Sequence, residues 1–162
     1  MSVNSGYNRF TKITLFLSIF VVFAGSMVKV TGSGMGCPDW PKCFGYYIPP
    51  FDEEQLIWKP NFQYNSGEMI FWEGDLLKAN IDFSSDENFK IENWSIYDKH
   101  DYKVYNPIHT VIEYVNRLVS VLLGFSVVLM ILFSFRSSNH KKMNVLFSFL
   151  ALLLIGFNAW LG

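Results

Sequence analysis

The chain has 162 residues, 51% of them hydrophobic and 18% aromatic, with a formal net charge of −1. The length allows a single domain, and the near-neutral balance excludes the basic footprint of a nucleic-acid binder. Charge is unevenly placed: of 14 acidic residues all but Glu113 lie between Asp39 and Asp101, and all six prolines lie between Pro38 and Pro107. Apolar segments therefore bracket one long polar loop.

Residues 1–12 are a short basic start carrying Arg9 and Lys12. The first apolar run, Ile13 to Val28, is read as a transmembrane helix over 13–30; it is near the lower limit for a hydrocarbon core about 30 Å thick and can extend into its flanks. A secretory signal peptide cut near Phe23-Ala24-Gly25-Ser26 is the competing reading; the run continues through Met27, Val28 and Val30, which favours the span. Ser18, Gly25 and Ser26 let another helix approach closely. Lys29, at the outer end, either snorkels to the interface or meets an anionic group.

Residues 31–107 form the loop. Its opening, Thr31 to Gly45, is too rich in glycine and proline for regular structure and suits a tight turn pressed onto the helix ends. Cys37 and Cys43 are the only cysteines. In an oxidising compartment a disulfide is the natural reading; a loop so short gains modest stability, which leaves both a structural and a redox role open. Zinc is excluded by the shortage of ligands. From about 46 to 106 the loop is polar and aromatic, read as a small extracytoplasmic cap of short helices or hairpins with its aromatics on the membrane interface. Leu76 to Asn80 is too short to read as a helix, Asn80 to Glu92 has no sustained period, and His100, among Asp98, Lys99 and Asp101, reads as a solvated loop residue. Asn106-Pro107 is a helix start signal.

The second transmembrane helix is read over 108–135. It opens with His109, Glu113, Asn116 and Arg117, which share about a third of the helix circumference, and Ser120 and Gly124 continue the stripe. The opposite face is Val, Ile, Leu and Tyr. Ionisable groups at membrane depth cost roughly 2.5–3.5 kcal/mol at the bilayer centre and less near a helix end, so the stripe marks a polar or cofactor site at the outer rim. The plainer reading is that Glu113 and Arg117, spaced i,i+4, neutralise each other at the interface. A connector, 136–144, carries Arg136, His140, Lys141 and Lys142; His140 reads as surface charge. The third helix is read over 145–162, with Asn158 near its outer end at the depth of Glu113, where the two can join a polar network. Since the chain stops at Gly162 while leaving the membrane, an N-terminal portion of a longer protein is expected. Lysine and arginine beside the first helix and in the connector place both in the cytoplasm, and the loop 31–107 outside.

Four motifs stand in order around these helices: Thr31-Gly32-Ser33-Gly34; Cys37-Pro38-Asp39-Trp40-Pro41-x-Cys43-x-Gly45; Ile112-Glu113-Tyr114-x-Asn116-Arg117; and Gly156-Phe157-Asn158-Ala159-Trp160-Leu161-Gly162. Together they closely resemble heme A synthase in its bacterial form, over about 25–48 and 108–162. The resemblance implies an all-α, polytopic transmembrane helix bundle of eight helices in two four-helix repeats, three of which are here. It implies an oxidoreductase of the bacterial inner membrane that converts the C8 methyl of heme O to the formyl of heme A by successive hydroxylations, with heme b (iron) as cofactor and heme O as substrate. Heme O synthase and cytochrome oxidase assembly factors are the implied partners, with a homo-oligomer as a further option. The family's cysteine pair maps to Cys37 and Cys43, and its important glutamate to Glu113. Three residues further the family has a heme-ligating histidine; this sequence has Asn116, a poor iron ligand, and His109, on the same face one turn before Glu113, is the substitute. Lys29 and Arg117 are the expected partners of the heme propionates. Two other classes compete: a b-type membrane electron-transfer cytochrome, and a non-catalytic membrane scaffold with a docking cap.

Overall fold

A computed structural model describes residues 3–98, 105–137 and 140–161; His100 and Gly162 lie outside these. Three long helices dominate: α1 (Val3–Thr31), α2 (Pro107–Arg136) and α3 (Lys141–Leu161). Each contains a stretch long and apolar enough to cross a membrane, Ser5–Thr31, Pro107–Arg136 and Lys141–Trp160. Helix α1 therefore starts well before the apolar run, because nothing between Val3 and Lys12 breaks a helix, and the connector shortens to the few residues between Arg136 and Lys141. The start of α2 follows the sequence signal. Pro107 opens the helix, where its missing N–H is no loss, and Asn106 Oδ1 accepts from Ile108 N at 3.0 Å and His109 N at 3.3 Å.

The chain forms two compact units, one of Met1–Ser26 with Asn116–Gly162, the other of Met27–Val115. The first is helical. Gly6 lies against Phe133, where a Cβ would come within 2.7 Å of the ring, and Phe10 stacks on Phe133 at 5.0 Å. Thr14 and Ser126 share a buried hydroxyl hydrogen bond of 3.1 Å, and Asn144 Nδ2 donates to Ser137 Oγ at 3.0 Å. Large apolar side chains such as Phe16, Phe23, Phe125 and Leu153 remain on the outside, as expected where lipid is the solvent.

The second unit holds the loop, read from sequence as short helices or hairpins, and adds short strands to an otherwise helical chain. Five short strands follow the disulfide turn: β1 (Gln63–Tyr64), β2 (Met69–Trp72), β3 (Asp75–Ala79), β4 (Phe83–Ser84) and β5 (Trp94–Ile96). They pair antiparallel as β2-β3-β5 and β1-β4. Trp72 faces Asp75 across a two-residue turn, and Glu73 and Gly74, both at positive φ (52° and 93°), give that hairpin its tight reversal. The β2-β3-β5 sheet is covered on both sides. Met69, Phe71 and Leu76 pack with Cys37, Cys43, Phe44, Leu56 and Tyr105. Ile70, Leu77 and Ala79 pack with Tyr64 and Trp94, with Trp58, Trp72 and Phe89 alongside. Within this second cluster Trp72 and Phe89 stack at 4.1 Å and Tyr64 meets Trp94 edge-on at 5.0 Å. Most cap aromatics thus build a core of their own, contrary to the interfacial placement expected for them: two-sided burial of a sheet needs large apolar side chains on alternate positions of both faces.

Burial, reinforced by the Glu68 carboxylate and Tyr64, pushes the Tyr46 phenol from 10.0 up to about 12; burial also raises Tyr64 and Tyr105. A folded pKa above the unfolded one means the fold favours the protonated phenol. This contribution to stability is complete below pH 10 and is lost as pH rises toward 12. Denaturant unfolding followed by near-ultraviolet circular dichroism should show the cap weakening over that window, and Tyr46→Phe should flatten the dependence.

Candidate functional site

The site is built where the disulfide turn meets the first two turns of α2, all within the unit Met27–Val115. Gly32 ends α1 with a left-handed φ of 69°, a single 3-10 turn over Ser33–Met35 follows, and the backbone then runs onto α2. Gly36 makes the closest approach: a Cβ there would lie 2.4 Å from His109 O and 2.8 Å from Thr110 N, so only glycine fits without movement. The buried Thr110 hydroxyl is within donating distance of Gly36 O (2.9 Å) and of Asn106 O in its own helix (3.1 Å). Cys37 N donates to Glu113 Oε2 at 2.8 Å, and Glu113 is only 7% exposed.

Cys37 and Cys43 are joined in a disulfide, buried on both sides. Its sulfur at Cys37 rests 3.8 Å from Thr110 O, a contact only, since a disulfide sulfur carries no hydrogen. Beyond it, Cys43 and Tyr46 pair through backbone bonds of 2.8 and 3.1 Å, closing a hairpin over Phe44 and Gly45 at φ 56° and 85°. Asp39 Oδ2 accepts from Gly45 N at 3.0 Å. A Cβ at Gly45 would strike Gly67 O at 2.3 Å, so the turn is pressed against the cap as closely as Gly36 is pressed against α2. Hydroxyls complete the attachment: Tyr97 OH donates to Pro38 O at 2.6 Å, Tyr114 OH to Tyr47 O at 2.8 Å, and Tyr105 OH to Pro50 O.

Of the residues singled out by sequence, Cys37, Cys43 and Glu113 come together here. His109 is half-buried, and its backbone forms the wall that Gly36 meets. Lys29 is exposed in the last turn of α1. Asn116 and Arg117 belong to the helical unit, where Asn116 Oδ1 is buried without a hydrogen-bond partner among the described residues and lies 3.9 Å from the Cβ position of Gly25. Asn158 spends its Nδ2 donor on Leu154 O of its own helix. Sequence reasoning missed Gly36 and Thr110; the only trace was the glycine-dense turn beside a helix start.

Position 116 offers an amide, whose oxygen is a poor ligand where heme iron takes imidazole or thiolate, which leaves His109 as the imidazole of the stripe.

The profile of the COX15-CtaA family, described as cytochrome oxidase assembly protein, matches residues 8–162. The chain belongs to the COX15-CtaA family. Among its relatives, the heme A synthase of Alkalihalophilus pseudofirmus is 25% identical over 155 residues, 94% of this chain and 34% of that protein. The heme A synthase of Halalkalibacterium halodurans is 26% identical over the same shares, and that of Shewanella oneidensis is 36% identical over 45 residues, 28% of this chain and 14% of that protein. The chain spans about a third of the length of the Alkalihalophilus pseudofirmus and Halalkalibacterium halodurans proteins. No solved structure matches it. For this COX15-CtaA member, the disulfide turn and the carboxylate of α2 form one packed assembly.

Gly36→Ala should force the turn off α2. A loss of about 1–3 kcal/mol is expected for overpacking against rigid backbone, read as an earlier unfolding midpoint of the cap in detergent; an unchanged midpoint would mean that the approach of Gly36 to His109 is loose.

Proposed function

We propose that the chain is the N-terminal part of a heme A synthase, acting on heme O to convert its C8 methyl to a formyl. The observation that carries this reading is the hydrogen bond from Cys37 N to the buried carboxylate of Glu113, two motif residues far apart in sequence and held in one cluster. Membership of the family and heme A synthases among the relatives support it.

Turning a methyl into a formyl through an alcohol releases protons and electrons and adds an oxygen. Glu113 is the group in this cluster suited to take up and pass on protons, because it is shielded from water and oriented by a backbone amide. Lys29 and Arg117 supply cations for the anionic propionates of a heme. His109 is the imidazole nearest in sequence to this carboxylate, and it stands as the candidate axial ligand in place of Asn116. A bound heme b would supply one-electron chemistry; no step here is routed through it, given the amide at 116. Heme O synthase and cytochrome oxidase assembly factors are the partners this role calls for.

A second reading rests on the same hydrogen bond. If Glu113 only fastens the turn to α2, its carboxylate is structural. Two variants of the complete protein separate the roles. Glu113→Gln keeps an acceptor for Cys37 N and should hold the cap's thermal midpoint while heme O accumulates and heme A is lost by chromatography of extracted hemes. Glu113→Ala should lose both the product and part of the stability, about 1–3 kcal/mol for the stranded amide. Wild-type heme A in the Gln variant would refute the proton-handling role.

The basic residues support one orientation. Arg9 and Lys12 flank the first span and Arg136, Lys141 and Lys142 surround the connector, which supports a cytoplasmic N-terminus in a bacterial inner membrane; a disulfide in the loop supports an oxidising outer side. Alkaline phosphatase joined after Asn80 should be active, and joined after Lys142 inactive. The reverse pattern would overturn the topology.

A further inference from the structure

The disulfide turn lies along the side of α2, not above its end. It touches His109, Thr110, Glu113 and Tyr114, a stretch of about one and a half turns. The 30 residues of α2 make a rod about 45 Å long, against a hydrocarbon core of about 30 Å. Centred in a bilayer, such a helix leaves about 7–8 Å at each end within the headgroup layer. Tyr114 sits about 10 Å from the start of α2, and helical side chains lean back toward the N-terminus. The Tyr114 hydroxyl, and the Tyr47 carbonyl it binds at 2.8 Å, therefore fall at headgroup depth.

The turn exposes large side chains around this point. Trp40 is 69% exposed, Tyr47 72% and Ile48 70%. Lys42 Nζ lies 5.1 Å from the centre of the Tyr47 ring. The contrast with the cap is informative: Trp58, Trp72, Phe89 and Trp94 are drawn into a core, whereas Trp40 and Tyr47 are left outside it. Tryptophan, tyrosine and lysine are the residue types that settle at a membrane–water interface, with ring bodies among the lipid and polar tips in the headgroups. We infer that the turn Trp40–Ile48 is an interfacial anchor: Trp40, Tyr47 and Ile48 enter the headgroup layer of the leaflet on the loop's side, with Lys42 at the level of the lipid phosphates. This depends on α2 crossing the membrane and not on the reaction the protein catalyses.

The test uses the full chain reconstituted in phosphatidylcholine vesicles. Subtracting the emission of Trp40→Phe from that of the unaltered protein isolates the Trp40 signal. A phosphatidylcholine carrying a nitroxide on its headgroup should quench that signal strongly, and aqueous iodide only weakly. The double variant Tyr47→Ser with Ile48→Ser should reverse this order while non-reducing mass spectrometry still finds Cys37 joined to Cys43. A Trp40 signal quenched by iodide as freely as N-acetyltryptophanamide and untouched by the lipid nitroxide would overturn the anchor. So would a signal insensitive to both quenchers, which would mean that protein covers this face.

Discussion

A carboxylate buried near the start of a helix apolar enough to cross a membrane is the constraint around which this protein is arranged. Glu113 sits in the second turn of α2, where leaving a charge without a partner is expensive. The partner is a backbone amide, Cys37 N–H at 2.8 Å, and a backbone can come that near only because Gly36 has no side chain to collide with His109 and Thr110. A hydrogen bond to a charged group contributes about 1.5–3 kcal/mol. Closing the short Cys37–Cys43 loop contributes about 2 kcal/mol through the unfolded chain. The two are of similar size and act on the same residue, so Cys37 is restrained by its sulfur on one side and by its amide on the other.

The cap extends this arrangement. Gly45 stands against Gly67 and Glu68 as closely as Gly36 stands against α2, so the turn is clamped between a helix and a sheet. The sheet in turn needs the turn: Cys37, Cys43 and Phe44 supply part of the apolar cover for Met69 and Leu76. Without it, the β2-β3-β5 sheet would be left with one bare apolar face, which costs free energy in water. A polar loop of this length becomes an ordered cap because its aromatic residues are numerous enough to fill the second face as well.

How far the sequence foretells this differs by solvent. The three helices are legible because lipid permits only one way of satisfying the backbone, and Asn106-Pro107 marks the start of α2 by a local rule. The cysteine pair is legible because there is no other cysteine. The strands are not: Met69-Ile70-Phe71-Trp72 is buried on both faces and so lacks alternation, and Asp75–Ala79 is too short for periodicity to speak. Glu73-Gly74 was the available hint of a hairpin. In the site, Glu113 stands out by its charge in an apolar run, but its partner does not, since an amide donor is shared by every residue and only the fold selects Cys37.

Asn116 stands on α2 between Glu113 and Arg117. Its Oδ1 is buried without a hydrogen-bond partner among the described residues, 3.9 Å from where a Cβ at Gly25 would stand. Glu113, by contrast, is already engaged through Oε2, and swinging that oxygen toward a reacting group would strand the Cys37 amide at a cost of about 1–3 kcal/mol. Were Glu113 to carry protons, the fold would favour a carboxylate that stays where it is, because Cys37 N holds its Oε2 at 2.8 Å.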